Sequence, residues 1–189
     1  MKFNELYDVV DKKGNKIGVA NWTECHTKGL LHQCVHGILF RTDEKKEILM
    51  KKRSYKMVQE PGAREIAVAG HLLFGETPKQ GIIKEFQEEL FSGNKLPQEF
   101  RIKKVGTFFN SDIPNNHELV HLFEIICPGP FFPDSEEVDG KPMWINLKKL
   151  LLDIKSNTNE YARFSINALN AYLRYGFKED KVGELELDD

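Results

Sequence analysis

Between Gly70 and Phe91 the chain reads GHLLFGETPKQGIIKEFQEELF, and no other stretch constrains it as tightly. A glycine-marked loop leads into a helix start. Thr77 is placed to cap it, Pro78 takes the first helical position, and Gln80 lies three residues after the cap. Glu85, Glu88 and Glu89 then stand at i, i+3 and i+4, so the three carboxylates share one helix face. Like charges stacked this way cost an isolated helix about 0.2–0.5 kcal/mol per pair. A solvated acidic face is the plain account of such a triplet. The chemical account is a hard divalent cation held by oxygen ligands.

The register of the whole stretch decides between them. Gly70, Glu76, Glu85, Glu88 and Glu89, with Phe86 at the apolar position, resemble the Nudix box. Two positions depart from that pattern. Lys84 stands where the box has arginine, keeping the charge but losing the planar fork. Phe91-Ser92 replaces a glycine and an aliphatic residue, which implies a different helix exit with Gly93 as the C-terminal glycine. The resemblance implies an α/β Nudix fold, a mixed β-sheet sandwiched between α-helices. It implies a single Nudix domain over 1–177, with a hairpin at 5–20, the box at 70–92 and a C-terminal helix at about 158–175. An acidic tail, 178–189, follows.

The chain as a whole agrees with that reading. Its 189 residues suffice for one domain with a sizeable core. A net charge of −2 gives no general electrostatic case for nucleic acid or an anionic membrane. No apolar run reaches the ~18 residues of a membrane-spanning helix. The N-terminus lacks a signal-peptide core, and the three cysteines, Cys25, Cys34 and Cys127, are widely spaced. Free thiols in a reducing cytoplasm are expected.

Strands are expected at Leu6–Val10, Lys16–Ala20, Cys34–Arg41, Glu47–Arg53, Ile66–Ala69, Arg101–Asn110, His117–Cys127 and Lys141–Ile145. Asn21–His32 reads as a polar connection. Along His117–Cys127, Leu119, His121, Phe123, Ile125 and Cys127 fall on one face, and Glu118, Val120, Leu122, Glu124 and Ile126 on the other. Helices are expected from Asn146 to Ile154 and from Thr158 to Tyr175, the latter opened by an Asn157/Glu160 capping box.

Beyond the box, YDVVDKKGNKIG, ECHTKGLLH, KKRS, PG and AVAGH are similar to the isopentenyl-diphosphate isomerase-like branch of the Nudix superfamily, over residues 5–150. That resemblance implies a second metal site at His26, His32, His71 and Glu118, with Asn116 where a further glutamate belongs. Three imidazoles and a carboxylate suit a transition metal. His36 and His121 read as satisfied interior histidines. The isomerases carry a cysteine just before the Gly-His that opens the box; here that place is Ala69, whose methyl moves no proton. The chain also keeps the three box glutamates. Both features point to hydrolysis.

The expected activity is therefore water attack at phosphorus in a small-molecule diphosphate. Mg²⁺, with Mn²⁺ as a substitute, would be held by Glu85, Glu88, Glu89 and the Gly70 carbonyl. Glu88 or Glu89 would orient or deprotonate the water, with Glu118 as an alternative base. Glu76 would order the loop by pairing with Lys84. Arg53 first, and Lys56 second, would bind the diphosphate. Arg64 stands where an aromatic pocket floor is expected. Ser111–Asn116 and Phe131–Asp139 are the loops expected to select the substrate. The alternatives are an isopentenyl-diphosphate isomerase, disfavoured by Ala69, and a non-catalytic ligand-binding module, disfavoured by the intact glutamates. Related proteins imply a homodimer.

Overall fold

The computed structural model describes residues 4–111 and 114–176, so the acidic tail and part of the Ser111–Asn116 loop lie outside the described residues. β1 (Leu6–Val10) and β2 (Lys16–Asn21) form the expected N-terminal hairpin. The following segment is not a connection but a short helix, α1 (Trp22–Lys28). Asn21 accepts a hydrogen bond from the Glu24 N–H, the Glu24 carboxylate takes the Asn21 N–H, and Gly29 closes the helix at φ 65°.

β3 (His32–Phe40) is the central strand, because HQCVHGILF is buried along nearly its whole length. β4 (Glu47–Lys52) meets it at Phe40 and Ile48. The single strand expected at Ile66–Ala69 is two, β5 (Arg64–Ile66) beside β4 and β6 (Val68–His71) beside β3. The chain changes partner at Ala67. α2 (Pro78–Phe91) carries the box carboxylates and is capped by Thr77 and Gln80 as expected. Its exit differs by one residue: Ser92 takes the left-handed turn at φ 50°, and Gly93 follows at φ 73°.

β7 (Arg101–Asn110) pairs antiparallel with β8 (Glu118–Ile126), and β8 runs parallel to β3 over its whole length. β9 (Met143–Asn146) pairs with β4 and leads into α3 (Leu147–Ser156). The last helix, α4, covers Arg163–Tyr175 rather than starting at Thr158. Thr158–Glu160 is a 3-10 turn, and Asn157 caps nothing with its side chain. Its amide donates to Asp153 instead, 2.7 Å away. The helix start is displaced because Tyr161 pairs with Arg64 in a β-bridge, and extended backbone there breaks the helical run.

Among the described residues nine strands form one mixed sheet with helices on both faces. On one face Val35, Leu39, Val68 and Phe123 pack against Ile82 and Phe86 of α2. On the other, Ile38, Phe40, Val120 and Leu122 pack against Leu150 of α3 and Leu169 and Tyr172 of α4. The two-faced pattern along β8 is the expected alternation, with both faces buried.

Candidate active site

β3 and β4 part beyond Phe40 and Ile48, since each takes its own short partner. A cavity lies in that splay. β3 contributes Cys34 and His36, β4 Lys51, β5 Glu65, β6 Ala69 to His71, and α2 Glu89. Trp22, Met57 and Phe164 supply apolar walls.

The box side is built around β6. A Cβ on Gly70 would collide with the Glu85 carboxyl, 2.6 Å from even its farther oxygen. Glycine at that position is therefore what lets the carboxylate lie on the strand backbone. Glu89 accepts from the Ala69 N–H at 2.9 Å through one oxygen and from Lys51 at 2.9 Å through the other. Lys51 also reaches Glu65 at 3.3 Å, and Arg53 pairs with Glu65 from its far side. Lys84 bridges Glu85 at 3.0 Å and Glu76 at 3.2 Å, while Glu76 takes the Leu73 N–H at 3.0 Å. That is the loop-ordering role expected of it. Glu88 is half-buried on α2, outside the cavity lining.

Burial pushes the Glu89 carboxyl up to about 8; Lys51 opposes the shift, and Glu85 and Glu65 reinforce it. Burial also disfavours the Lys51 ammonium, but Glu89 and Glu65 more than reverse this and hold its pKa above the ordinary lysine value. Oxygen donors crowded at a glycine cradle fit a hard divalent ion such as Mg²⁺.

The histidine side assembles as the resemblance implies. Ligand atoms of His26, His32, His71 and Glu118 all lie within 4.8 Å of one another. His26 turns Nδ1 to the Trp22 carbonyl and His32 turns Nδ1 to the Leu30 carbonyl, each at 2.8 Å. Such bonds fix the ring orientation and leave Nε2 as the donor atom. The Nε2 atoms of His32 and His71 are buried with no hydrogen-bond partner. Asn110 donates to Glu118 at 2.7 Å, and Asn167 of α4 donates to Asn110 at 2.8 Å.

Burial, with His32 beside it, takes His71 down to about 3 against the pull of Glu118. Burial of Glu118 is outweighed by His71, His36, His32 and the Asn110 amide, which hold it at about 2. Neutral imidazoles beside a carboxylate anion fit a transition metal.

Other expectations need correction. His36 lines the cavity with Nδ1 unpartnered, and burial lowers it to about 4. His121 shares one nitrogen with Gln33 at 2.7 Å and leaves the other unpartnered. Neither is a fully satisfied interior histidine. Arg53 lines the cavity, but Lys56 is paired with Glu136 at 2.7 Å outside that lining. Arg64 is turned to Asp153 at 2.8 Å and lies outside the cavity. Cys25 is buried in the hairpin core, whereas Cys34 reaches the cavity, hydrogen-bonded to Glu118 and pushed well up by burial. Lys51 was not legible as the partner of Glu89, nor Glu65 as a site residue. Strand alternation puts Lys51 on the inward face after Leu49, and that is the signal that could have found it.

The NUDIX domain family profile matches residues 31–166. Nudix hydrolase 3 of Arabidopsis thaliana is 33% identical over 147 residues, 72% of this chain but 18% of that protein, so the chain spans about a fifth of its length. Isopentenyl-diphosphate Delta-isomerase 2 of Photorhabdus laumondii is 30% identical over 163 residues, covering 84% of this chain and 86% of that one. A crystal structure of the DR0079 protein of Deinococcus radiodurans shares the fold, with a TM-score of 0.70 and 16% identity over 89% of this chain and 99% of that one. No helix among the described residues is long and apolar enough to cross a membrane.

Proposed function

The chain belongs to the NUDIX domain family, and from that premise we propose that it is a metal-dependent hydrolase of a diphosphate linkage in a small molecule. The observation that carries this reading is the convergence of Glu85 and Glu89 on the Gly70–Ala69 backbone; that backbone and Glu89 line the cavity, and Glu85 packs on Gly70 outside the lining.

Glu85, Glu88, Glu89 and the Gly70 carbonyl would hold Mg²⁺ or Mn²⁺. When bound, such an ion neutralises phosphoryl oxygens and acidifies water. The residues' own part is positional. Arg53 faces the cavity and offers a planar cation to the diphosphate, with Glu65 fixing its angle. Lys56 is a weaker candidate, because Glu136 already holds it. Glu88 or Glu89 takes the proton of the attacking water, with Glu118 as the alternative base. The water oxygen bonds to one phosphorus, and the bridging oxygen leaves with its electron pair on the other phosphate. His26, His32, His71 and Glu118 form a second, transition-metal site on this reading. The same proposal has the protein working as a cytoplasmic homodimer with its three thiols reduced.

Isomerisation of an isoprenoid diphosphate is the second reading. It is favoured by Cys34, which places a thiol beside Glu118 despite Ala69. Turnover of a diphosphate panel in ¹⁸O-water with Mg²⁺, read by mass spectrometry, separates the two. Hydrolysis puts one ¹⁸O into a phosphate-bearing product. A product of unchanged mass supports the isomerase. Ligand binding without turnover in Mg²⁺ or Mn²⁺ supports the binding module.

A further inference from the structure

Lys51 is among the least exposed charges in the described protein, its side chain 1% accessible. Lysine is almost never buried so deeply unless paired, and burying an ion pair is often no better than an apolar core. An apolar residue would continue β4 naturally, since Leu49, on the same face, belongs to the core shared with α2. The strand instead carries an ammonium to two acids, Glu89 at 2.9 Å and Glu65 at 3.3 Å. Arg53 faces Glu65, and Lys84 faces Glu85. Lys51 is the cation on Glu89, and it shares Glu65. A divalent ion entering at Glu89 thus meets a carboxyl group that already has a cationic partner inside the fold.

We propose that Lys51 is a competing cation built into the metal site, one that holds the Glu89 and Glu65 carboxylates in the ion's absence and so weakens and limits metal loading. It is a positioning residue. An ion sharing the Glu89 carboxylate would lie close to the ammonium in a low-dielectric cavity, where repulsion between two cations is strong. Loading then requires Lys51 to swing toward Glu65 or toward a substrate phosphate. Metal and substrate are thereby coupled, because the phosphate offers the displaced ammonium a new partner.

This inference rests on the box binding metal. Its test is a Mn²⁺ titration of the full chain, with free Mn²⁺ followed by electron paramagnetic resonance. Lys51→Met should bind Mn²⁺ at least tenfold more tightly than wild type, and the gain should vanish in the Lys51→Met/Glu89→Gln double variant. Lys51→Arg, which keeps the charge, should stay near wild type. Lys51→Gln keeps hydrogen-bond donors for both carboxylates without the charge and covers the case in which Lys51→Met does not fold; it should show the same gain. Wild-type binding with equal or weaker affinity in the folded neutral variants overturns the inference and leaves the hydrolase reading standing. Binding by the neutral variants but not by wild type supports the inference and removes metal dependence from the wild-type protein. No binding by any of them overturns both.

Discussion

Gly70 and Glu85 show how narrow the tolerance of the site is. The carboxyl occupies the volume that any side chain at position 70 would need. Gly70→Ala is expected to displace Glu85, weaken Mn²⁺ binding at least tenfold and cost about 1–3 kcal/mol of stability by overpacking. A Mn²⁺ titration and a thermal melt check the two effects. Glu89 carries the pH dependence. With its carboxyl pushed up to about 8, a proton competes with the ion at neutral pH. Mn²⁺ affinity should therefore rise with pH and level off above about 8, and Glu89→Gln should flatten the profile. A flat profile in the wild type contradicts the assignment. The three box carboxylates were legible at this scale because their spacing is local. The partners of Glu89 were not: Lys51 lies on strand β4, far from α2 in the chain, and only tertiary pairing brings it there.

At the scale of elements, α2 was the most legible piece, since its cap, Pro78 and Phe86 all lie within one helix. Two contributions can be separated. Thr77→Ala removes the capping box and should cost about 1 kcal/mol. Phe86→Ala empties a fully buried site between α2 and the sheet and should cost about 3–5 kcal/mol. Chemical denaturation that ranks the two the other way would place the hold on α2 in its cap rather than its packing. α1 was missed because seven residues are too few for an apolar period, although Asn21, Glu24 and Gly29 spelled its ends. The start of α4 was misread for the opposite reason. A local capping pattern at Asn157 was overruled by the long-range bridge between Tyr161 and Arg64.

For the whole molecule, the site exists because one sheet splits. The resemblance of the box implied a mixed sheet between helices, and the structure has one. What no run encodes is where neighbouring strands part, because β5 and β6 choose partners by packing on both faces. The fold also buries ionisable groups, at the split and, for His121, on β8 beside β3 and β7, with a consequence for stability. His71, His36 and His121 fall from 6.5 to about 3, 4 and 4, so between those values and 6.5 the unfolded chain binds more protons and stability falls as the pH falls. Glu118, taken from 4.5 to about 2, adds a loss in that lower window. Glu89, raised from 4.5 to about 8, works the other way across its own window. Three histidines against one glutamate give a net loss, so with a chelator present the melting temperature should fall from pH 7 to pH 5. A rise would mean that the histidines are not buried as neutral rings.

The most direct test of the account is phosphate release from a panel of nucleoside and isoprenoid diphosphates in Mg²⁺, wild type against Glu89→Gln. The account predicts turnover of at least one compound, abolished by chelator and reduced about 10²-fold or more in the variant. Turnover that survives both the chelator and the substitution would contradict it.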